Sequence, residues 1–242
     1  MDNSIEHVFY ESDIIEPNSI EHVFYESDII GFNNRRITHL DSLCLPLSNK
    51  YVLEPGCGPG LISEYLYSLG CKVLPLEARN VIVDFYKTKY PSSNILLFDL
   101  EGDNWDLIPE QDISIVYGIL YHLSDPLKFI DILYEKTREF CIIETVVSMD
   151  TVSDDLYIVP ENINHINQSF SGLGNRPTRK ILWNYMKTKF PYVYIPFTQT
   201  AHSQFPKQFI TREDSIARFL IIGSKIKLDI NTLSEELINI YD

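Results

Sequence analysis

Long apolar runs are missing from this chain. No stretch of its 242 residues reaches the eighteen or so apolar positions that a membrane-spanning helix needs. The acidic amino terminus also lacks the basic opening of a secretory signal, so the expectation is a cytoplasmic protein with no membrane association. Paired cysteines are missing as well. Cys44, Cys57, Cys71 and Cys141 form no CxxC and sit in apolar or glycine-rich surroundings, which predicts small buried residues in a reducing compartment and neither a disulfide framework nor a metal site. Positive charge is scarce: 20 Lys and Arg stand against 34 Asp and Glu, a net charge of −14. Such a chain repels phosphate backbones, which disfavours nucleic acid as a substrate and leaves a small molecule or a glycan as the easier acceptor. Glycine is sparse too, ten in all, and three of the ten fall at Gly56, Gly58 and Gly60.

Apolar residues make up 45% and aromatics 12%, the composition of a globular domain able to bury a sizeable core. Much of the acidity is confined to residues 1–33, which hold eight Asp and Glu and no Lys or Arg. The same region contains a perfect tandem repeat: NSIEHVFYESDII occurs at Asn3–Ile15 and again at Asn18–Ile30, separated by Glu16-Pro17. Each copy opens with Asn followed three residues later by Glu, a capping-box-like start, and places Ile, Val and Phe at helical spacing. Pro17 breaks any continuous helix between them. Residues 1–34 therefore read as an acidic helical extension carrying a local duplication, with Gly31-Phe32-Asn33-Asn34 as the turn that links it to a domain over 35–242.

From Tyr51 the pattern alternates. Strands are predicted at Tyr51–Glu54, Lys72–Glu77, Asn94–Asp99, Asp112–Tyr117 and Phe140–Val147, with helices at Leu61–Leu69, Val81–Tyr90 and Pro126–Thr137 between them. This is the signature of an α/β, doubly wound, Rossmann-like sheet with helices on both faces. The order then changes. Residues 148–177 have no strong period and are too long for a mere connection, so they read as a substrate lid. A helix at Arg179–Phe190, strands at Tyr192–Phe197 and Ile216–Ser224 and a terminal helix at Leu233–Tyr241 complete the chain.

The chemistry concentrates at the ends of the first three strands. Glu54-Pro55-Gly56-Cys57-Gly58-Pro59-Gly60 is a strand-to-helix turn with few side chains, suited to bringing backbone N–H groups against a ligand. Glu77 ends the second strand, where a carboxylate accepts hydrogen bonds from a ribose diol. Asp99 ends the third, at the height of an adenine amine. A dinucleotide fingerprint wants a small residue at position 61, and Leu61 is large; a phosphate loop wants a lysine, and none is there. The residues therefore fit a nucleoside with little phosphate and a cationic group, a description that S-adenosylmethionine meets. A nicotinamide-dependent oxidoreductase on a related fold is the rival reading.

Residues 36–147 resemble the class I S-adenosylmethionine-dependent methyltransferases. The resemblance rests on the glycine turn, on Glu77, on Asp99-Leu100 and on Gly118-Ile119-Leu120-Tyr121-His122-Leu123-Ser124-Asp125-Pro126 after the fourth strand. It implies a seven-stranded sheet whose last strand is antiparallel, with S-adenosylmethionine held by Glu54, Gly56, Cys57, Gly58, Gly60, Glu77, Ala78, Asp99, Leu100 and Tyr117. The Asn/Asp-Pro-Pro-Tyr/Phe motif that amino-methylating enzymes of nucleic acids often carry is replaced by Tyr117-Gly118-Ile119-Leu120, which points away from base methylation.

Methyl transfer requires donor and acceptor in line, and at some acceptors the removal of a proton. His122, just past the fourth strand, and His202, after the sixth, are the candidate catalytic bases, with His165 in the lid behind them. Arg176 and Arg179, flanking Pro177-Thr178, are the candidate substrate residues, since guanidinium groups bind carboxylate or phosphate. No metal is called for. The expected reaction is methylation of an oxygen or nitrogen of a small molecule or glycan precursor. Wobble-uridine methylation of transfer RNA, or a non-catalytic methyltransferase-like scaffold, is the alternative.

Overall fold

A computed structural model describes residues 18–212 and 215–242. The first copy of the repeat, Asn3–Ile15, lies outside them. In chain order the elements are α1 (Ile20–Phe24), α2 (Ser27–Ser42), β1 (Tyr51–Pro55), α3 (Leu61–Ser68), β2 (Lys72–Glu77), α4 (Asn80–Lys89), β3 (Leu96–Leu97), β4 (Gln111–Tyr117), α5 (Pro126–Lys136), β5 (Thr137–Ser148), β6 (Leu156–Pro160), β7 (Leu173–Pro177), α6 (Arg179–Lys189), β8 (Tyr192–Pro196), β9 (Ile216–Ser224) and β10 (Leu233–Ser234).

One sheet organises them, in the order β10-β8-β9-β5-β4-β1-β2-β3. Strands β1 to β5 run parallel to one another. β9 runs antiparallel to both β5 and β8, as expected of the last strand of a seven-stranded sheet, and β10 adds an eighth at the edge. Both faces are covered, and the period-2 alternation of each strand divides its side chains between two cores. Leu53, Cys141, Ile143, Phe219 and Ile221 face the side packed by α5 and α6. Val52, Phe140, Ile142, Leu220 and Ile222 face the other, against α2 and α3. The helices carry their own start signals. Asp125 caps α5 by accepting from Lys128 N (3.0 Å) with Pro126 in the first turn, and Thr178 caps α6 by accepting from Ile181 N (3.2 Å).

Four sequence expectations need correction. The turn at Gly31–Asn34 is not formed: α2 runs straight through it and through the expected boundary at residue 34. Gly31 is tolerated because tertiary burial of Asn33, Arg36, His39 and Leu40 along one face outweighs its weak helix propensity. The expected terminal helix is replaced by β10 and an extended tail, whose backbone is satisfied along the sheet edge by bonds such as Tyr241 N to Lys207 O and Asp242 N to Phe197 O (2.9 and 3.0 Å). The third strand shrinks to Leu96–Leu97, so Asp99 sits two residues beyond it. Of the four cysteines, Cys44 is exposed. Residues 148–177, without a clear period, contain the antiparallel hairpin β6–β7. No helix among the described residues is long and apolar enough to cross a membrane.

Candidate functional site

A cleft of about 250 Å³ opens at the carboxyl ends of β1, β2 and β4, roofed by α1 and α2 on one side and by the loop between β6 and β7 on the other. Its floor is the glycine turn. Gly56 and Gly58 have φ of +64° and +54°, conformations that cost an L side chain about 1–2 kcal/mol. A Cβ on Gly56 would come within 2.6 Å of Ile119, whereas one on Gly58 would meet nothing nearer than Phe24 at 3.7 Å. Gly58 thus presents bare backbone to the cleft.

Glu77 stands beside it. Its Oε2 accepts from Gly58 N (3.2 Å) and its Oε1 from Arg79 N (3.0 Å), so the second strand's terminal carboxylate is locked to the turn after the first. Burial pushes its pKa up, against the opposing pull of those backbone N–H groups and the Arg79 charge. The Ala78 N–H also acts on the carboxylate, and of its about four lone-pair sites at least one remains for a further donor. Arg79 reaches across to the loop between β6 and β7: its guanidinium donates to Ile163 O, Gln168 O and Ser169 O (3.0–3.3 Å) and lies over the Phe170 ring. Asn18, the first residue of the second repeat copy, brackets the same loop by donating to Asn164 O and accepting from Ile166 N.

The cleft brings together Gly56, Cys57, Gly58, Glu77, Ala78, Asp99, Leu100, Tyr117 and His122. Leu61, whose size argued against a dinucleotide, also faces into it. Two expected donor-site residues do not line it. Glu54 is 3% exposed and accepts from Ser63 Oγ in α3 (2.5 Å); burial raises its pKa to about 8, so at neutral pH it is largely uncharged and suited to fixing α3 on β1, not to meeting a cation. Gly60 starts α3, and a Cβ there would strike the rings of Tyr86 and Tyr90 at 2.7 Å, so its smallness serves helix packing.

His122 ends a short 3-10 turn, and its Nδ1 pairs with Glu161 Oε2 (2.5 Å). Glu161, just after β6, also takes Ser169 N (2.7 Å) and Arg176 (3.0 Å). Although burial acts to raise its pKa, the hydrogen bond and charge of His122, the Ser169 N–H and Arg176 hold it down to about 2. The other expected catalytic and substrate residues fall elsewhere. His202 packs edge-on to Phe32 (4.8 Å) in a separate surface hollow with Arg35. His165 pairs with Asn167 in the loop between β6 and β7 and does not line the cleft. Arg176 donates to Tyr121 O and Glu161, bracing the hairpin. Arg179 is buried against the rings of Phe209 and Phe219 and donates to Asn239, Ile238 O and the Tyr241 hydroxyl, anchoring the tail.

A second set of residues went unread in the sequence. Glu144, in the middle of β5 and 1% exposed, takes Arg36 of α2 on Oε2 and Arg218 of β9 on Oε1 (2.9 Å for the latter). Burial alone would raise its pKa, but the two guanidinium charges hold it below the ordinary carboxylate range. Arg36 also donates to Asn33 Oδ1 (2.8 Å), and Arg218 to Gln204 (2.8 Å) and the Tyr121 hydroxyl (3.3 Å). Arg36 and Arg218 both line the cleft. The signal was present: a lone acid in CIIETVV and a lone base in IARFLII are each out of place in a buried strand unless they pair. In the β5–β9 register Val146 faces Arg218 and Glu144 faces Leu220, so the two charges share one face of the sheet.

No family model and no curated protein matches the sequence. Solved structures do match in shape. The N-terminal domain of EvdMO1 with S-adenosylhomocysteine bound superposes with a TM-score of 0.61 at 15% identity over 79% of this chain and 80% of that one, and it has also been solved in the presence of S-adenosylhomocysteine and D-fucose. The magnesium protoporphyrin IX methyltransferase of Synechocystis PCC 6803 with S-adenosylmethionine bound gives 0.53 at 13% identity, over 81% and 79%. An S-adenosylmethionine-dependent methyltransferase from Archaeoglobus fulgidus gives 0.55 at 16%, over 85% and 97%. At these identities the likeness is one of fold. The fold is that of the class I S-adenosylmethionine-dependent methyltransferases.

Proposed function

We propose that the chain is an S-adenosylmethionine-dependent methyltransferase acting on an oxygen or nitrogen of a small molecule or glycan precursor. The observation that carries this reading is the locked pair of Gly58 and Glu77: bare backbone beside a carboxylate with at least one free lone pair, within a cleft at the carboxyl edge of the sheet. Those groups fit a nucleoside. Glu77 would accept the ribose hydroxyls, Asp99 and Leu100 would border the adenine, and Gly56 to Gly58 with Tyr117 would flank the amino-acid tail. When bound, S-adenosylmethionine supplies a methyl group activated by positive sulfur.

The chain's own part is to hold an acceptor in line and take its proton. His122 lines the cleft with Nδ1 tied to Glu161, which leaves Nε2 to receive a proton from an acceptor hydroxyl or amine while the carboxylate stabilises the resulting imidazolium. The lid, pinned by Arg79 and Asn18, would exclude water and place Glu161 against His122. A small acceptor accords with the size of the cleft and with the acidity of the chain. The test is incubation with methyl-labelled S-adenosylmethionine and lysate fractions, followed by mass spectrometry of the labelled product. A labelled small molecule or glycan is expected. Label confined to RNA would favour the wobble-uridine alternative, and no label in any fraction would favour the scaffold.

A further inference from the structure

The carboxylates lining the cleft, Glu77, Asp99 and Glu101, stand at the end near β2 and β3, where Arg79 accompanies them, whereas Arg36 and Arg218 line the end near β5 and β9. β9 lies four strands from β2, about 19 Å at a spacing of ~4.8 Å per strand. The two guanidinium groups share a single carboxylate, Glu144, each taking one of its oxygens. One positive charge is therefore left over in a largely buried setting, where an unpaired ion is expensive.

Both groups also pack toward Gly118. A Cβ built on Gly118, which follows β4 with φ +76°, would lie 3.2 Å from Arg36 Nη2 and 3.9 Å from Arg218 Nη1, so the absence of a side chain there is what lets the two cations approach the end of β4 this closely. Arg36 is 7% exposed, and its Nε makes no hydrogen bond among the described residues, although guanidinium groups normally use most of their five donors when buried. The rings of Phe32 and Tyr121 flank Arg218 at 5.2 and 5.3 Å, a surround suited to an organic anion. Arg176 and Arg179, the arginines expected to bind an anion, do not line the cleft; Arg36 and Arg218 do, as does Arg79, whose guanidinium is spent on carbonyls of the loop between β6 and β7.

We infer that the methyl acceptor carries an anionic group, a carboxylate or phosphate, that docks against Arg36 and Arg218 at this end of the cleft. This rests on the methyl-transfer reading, and it narrows the acceptor from any small molecule to an acidic one such as a uronic acid, an aromatic acid or a sugar phosphate. The donor's own carboxylate is the competing occupant, and the experiment separates the two.

Benzoate and its neutral isostere benzamide are titrated by calorimetry into the full chain saturated with S-adenosylhomocysteine. The expected result is binding of benzoate with benzamide at least about tenfold weaker, the worth of one charge-assisted hydrogen bond of roughly 1.5 kcal/mol. Arg218→Gln, which leaves Glu144 paired with Arg36, is expected to lose benzoate binding by a similar factor while S-adenosylhomocysteine affinity is unchanged; Arg218→Lys keeps the charge and part of the binding. Equal binding of benzoate and benzamide, or no benzoate binding, overturns the proposal. So does an Arg218→Gln variant that weakens S-adenosylhomocysteine but not 5′-methylthioadenosine, which lacks the carboxylate, since the arginine then belongs to the donor. Failure of wild-type protein to bind S-adenosylhomocysteine would instead sink the underlying methyl-transfer reading.

Discussion

Gly58 N donates to Glu77 Oε2 at 3.2 Å, joining the turn after β1 to the end of β2. That bond fixes the carboxylate beside half-buried glycine backbone, so on the proposed reading donor recognition would depend on a side chain and a turn that orient each other. Glu77→Ala is expected to weaken S-adenosylhomocysteine binding by roughly 10- to 100-fold, the loss of charged hydrogen bonds worth about 1.5–3 kcal/mol. Glu77→Gln should lose less, because it still accepts. Calorimetry on the two variants, with circular dichroism to confirm folding, measures both.

The three glycines of the turn should behave differently. Gly58→Ala places its Cβ at the cleft in ordinary contact with Phe24 at 3.7 Å, so it is expected to fold with a strain of about 1–2 kcal/mol and to lose donor affinity. Gly60→Ala adds a clash with Tyr86 and Tyr90 to the same strain and is expected to lower Tm further. Thermal melts in the presence and absence of S-adenosylhomocysteine distinguish ligand loss from packing loss.

Glu54 gives a pH signature. Its folded pKa of about 8 lies above the ordinary 4.5, so the folded state binds the extra proton between those values and stability falls as pH rises from about 4.5 to beyond 8. Glu54→Gln removes the ionisation. The variant is expected to match wild type near pH 4.5 and to exceed it above pH 8 by roughly 3–5 kcal/mol, with denaturant melts at the two pH values as the measurement. A difference that does not change with pH would show that Glu54 is charged in the folded chain.

Glu161 gives the opposite slope. Its folded pKa of about 2 lies below the ordinary 4.5, so its ionised pairing stabilises the chain above pH 4.5 and that contribution is lost as pH falls toward 2. Glu161→Gln is expected to be less stable than wild type at pH 6 and to converge with it on acidification. It should leave S-adenosylhomocysteine affinity unchanged while lowering kcat on any acceptor that must be deprotonated.

Removing Glu144 strands two buried cations. Glu144→Ala is expected to cost about 3–5 kcal/mol, the usual penalty for breaking a buried ion pair from one side. Urea denaturation reads this directly.

The legible part of the sequence was the part governed by local rules. Alternating apolar runs marked the strands, and the glycine turn with Glu77 marked the cleft, because period and backbone conformation are written in neighbouring residues. Gly31–Asn34 misled, since the helix through it is enforced by the burial of Arg36 and Leu40 and not by its own propensities. Leu233–Tyr241 misled in the same way: its apolar spacing serves a sheet edge as well as a helix face. Glu144 and Arg218 each stand out as a lone charge in an apolar strand, but which groups they pair with, Arg36 of α2 included, follows only from the packing of α2 and the register of β5 on β9. Arg176 and Arg179 had the right chemistry, but Glu161 and the Tyr241 tail claimed them first.

The most direct test of the donor site is calorimetric titration of the full chain with S-adenosylhomocysteine, alongside NAD. Saturable one-to-one binding of S-adenosylhomocysteine is predicted, abolished in Gly58→Arg and sharply weakened in Glu77→Ala, with no binding of NAD. Binding of NAD with no response to S-adenosylhomocysteine would contradict it.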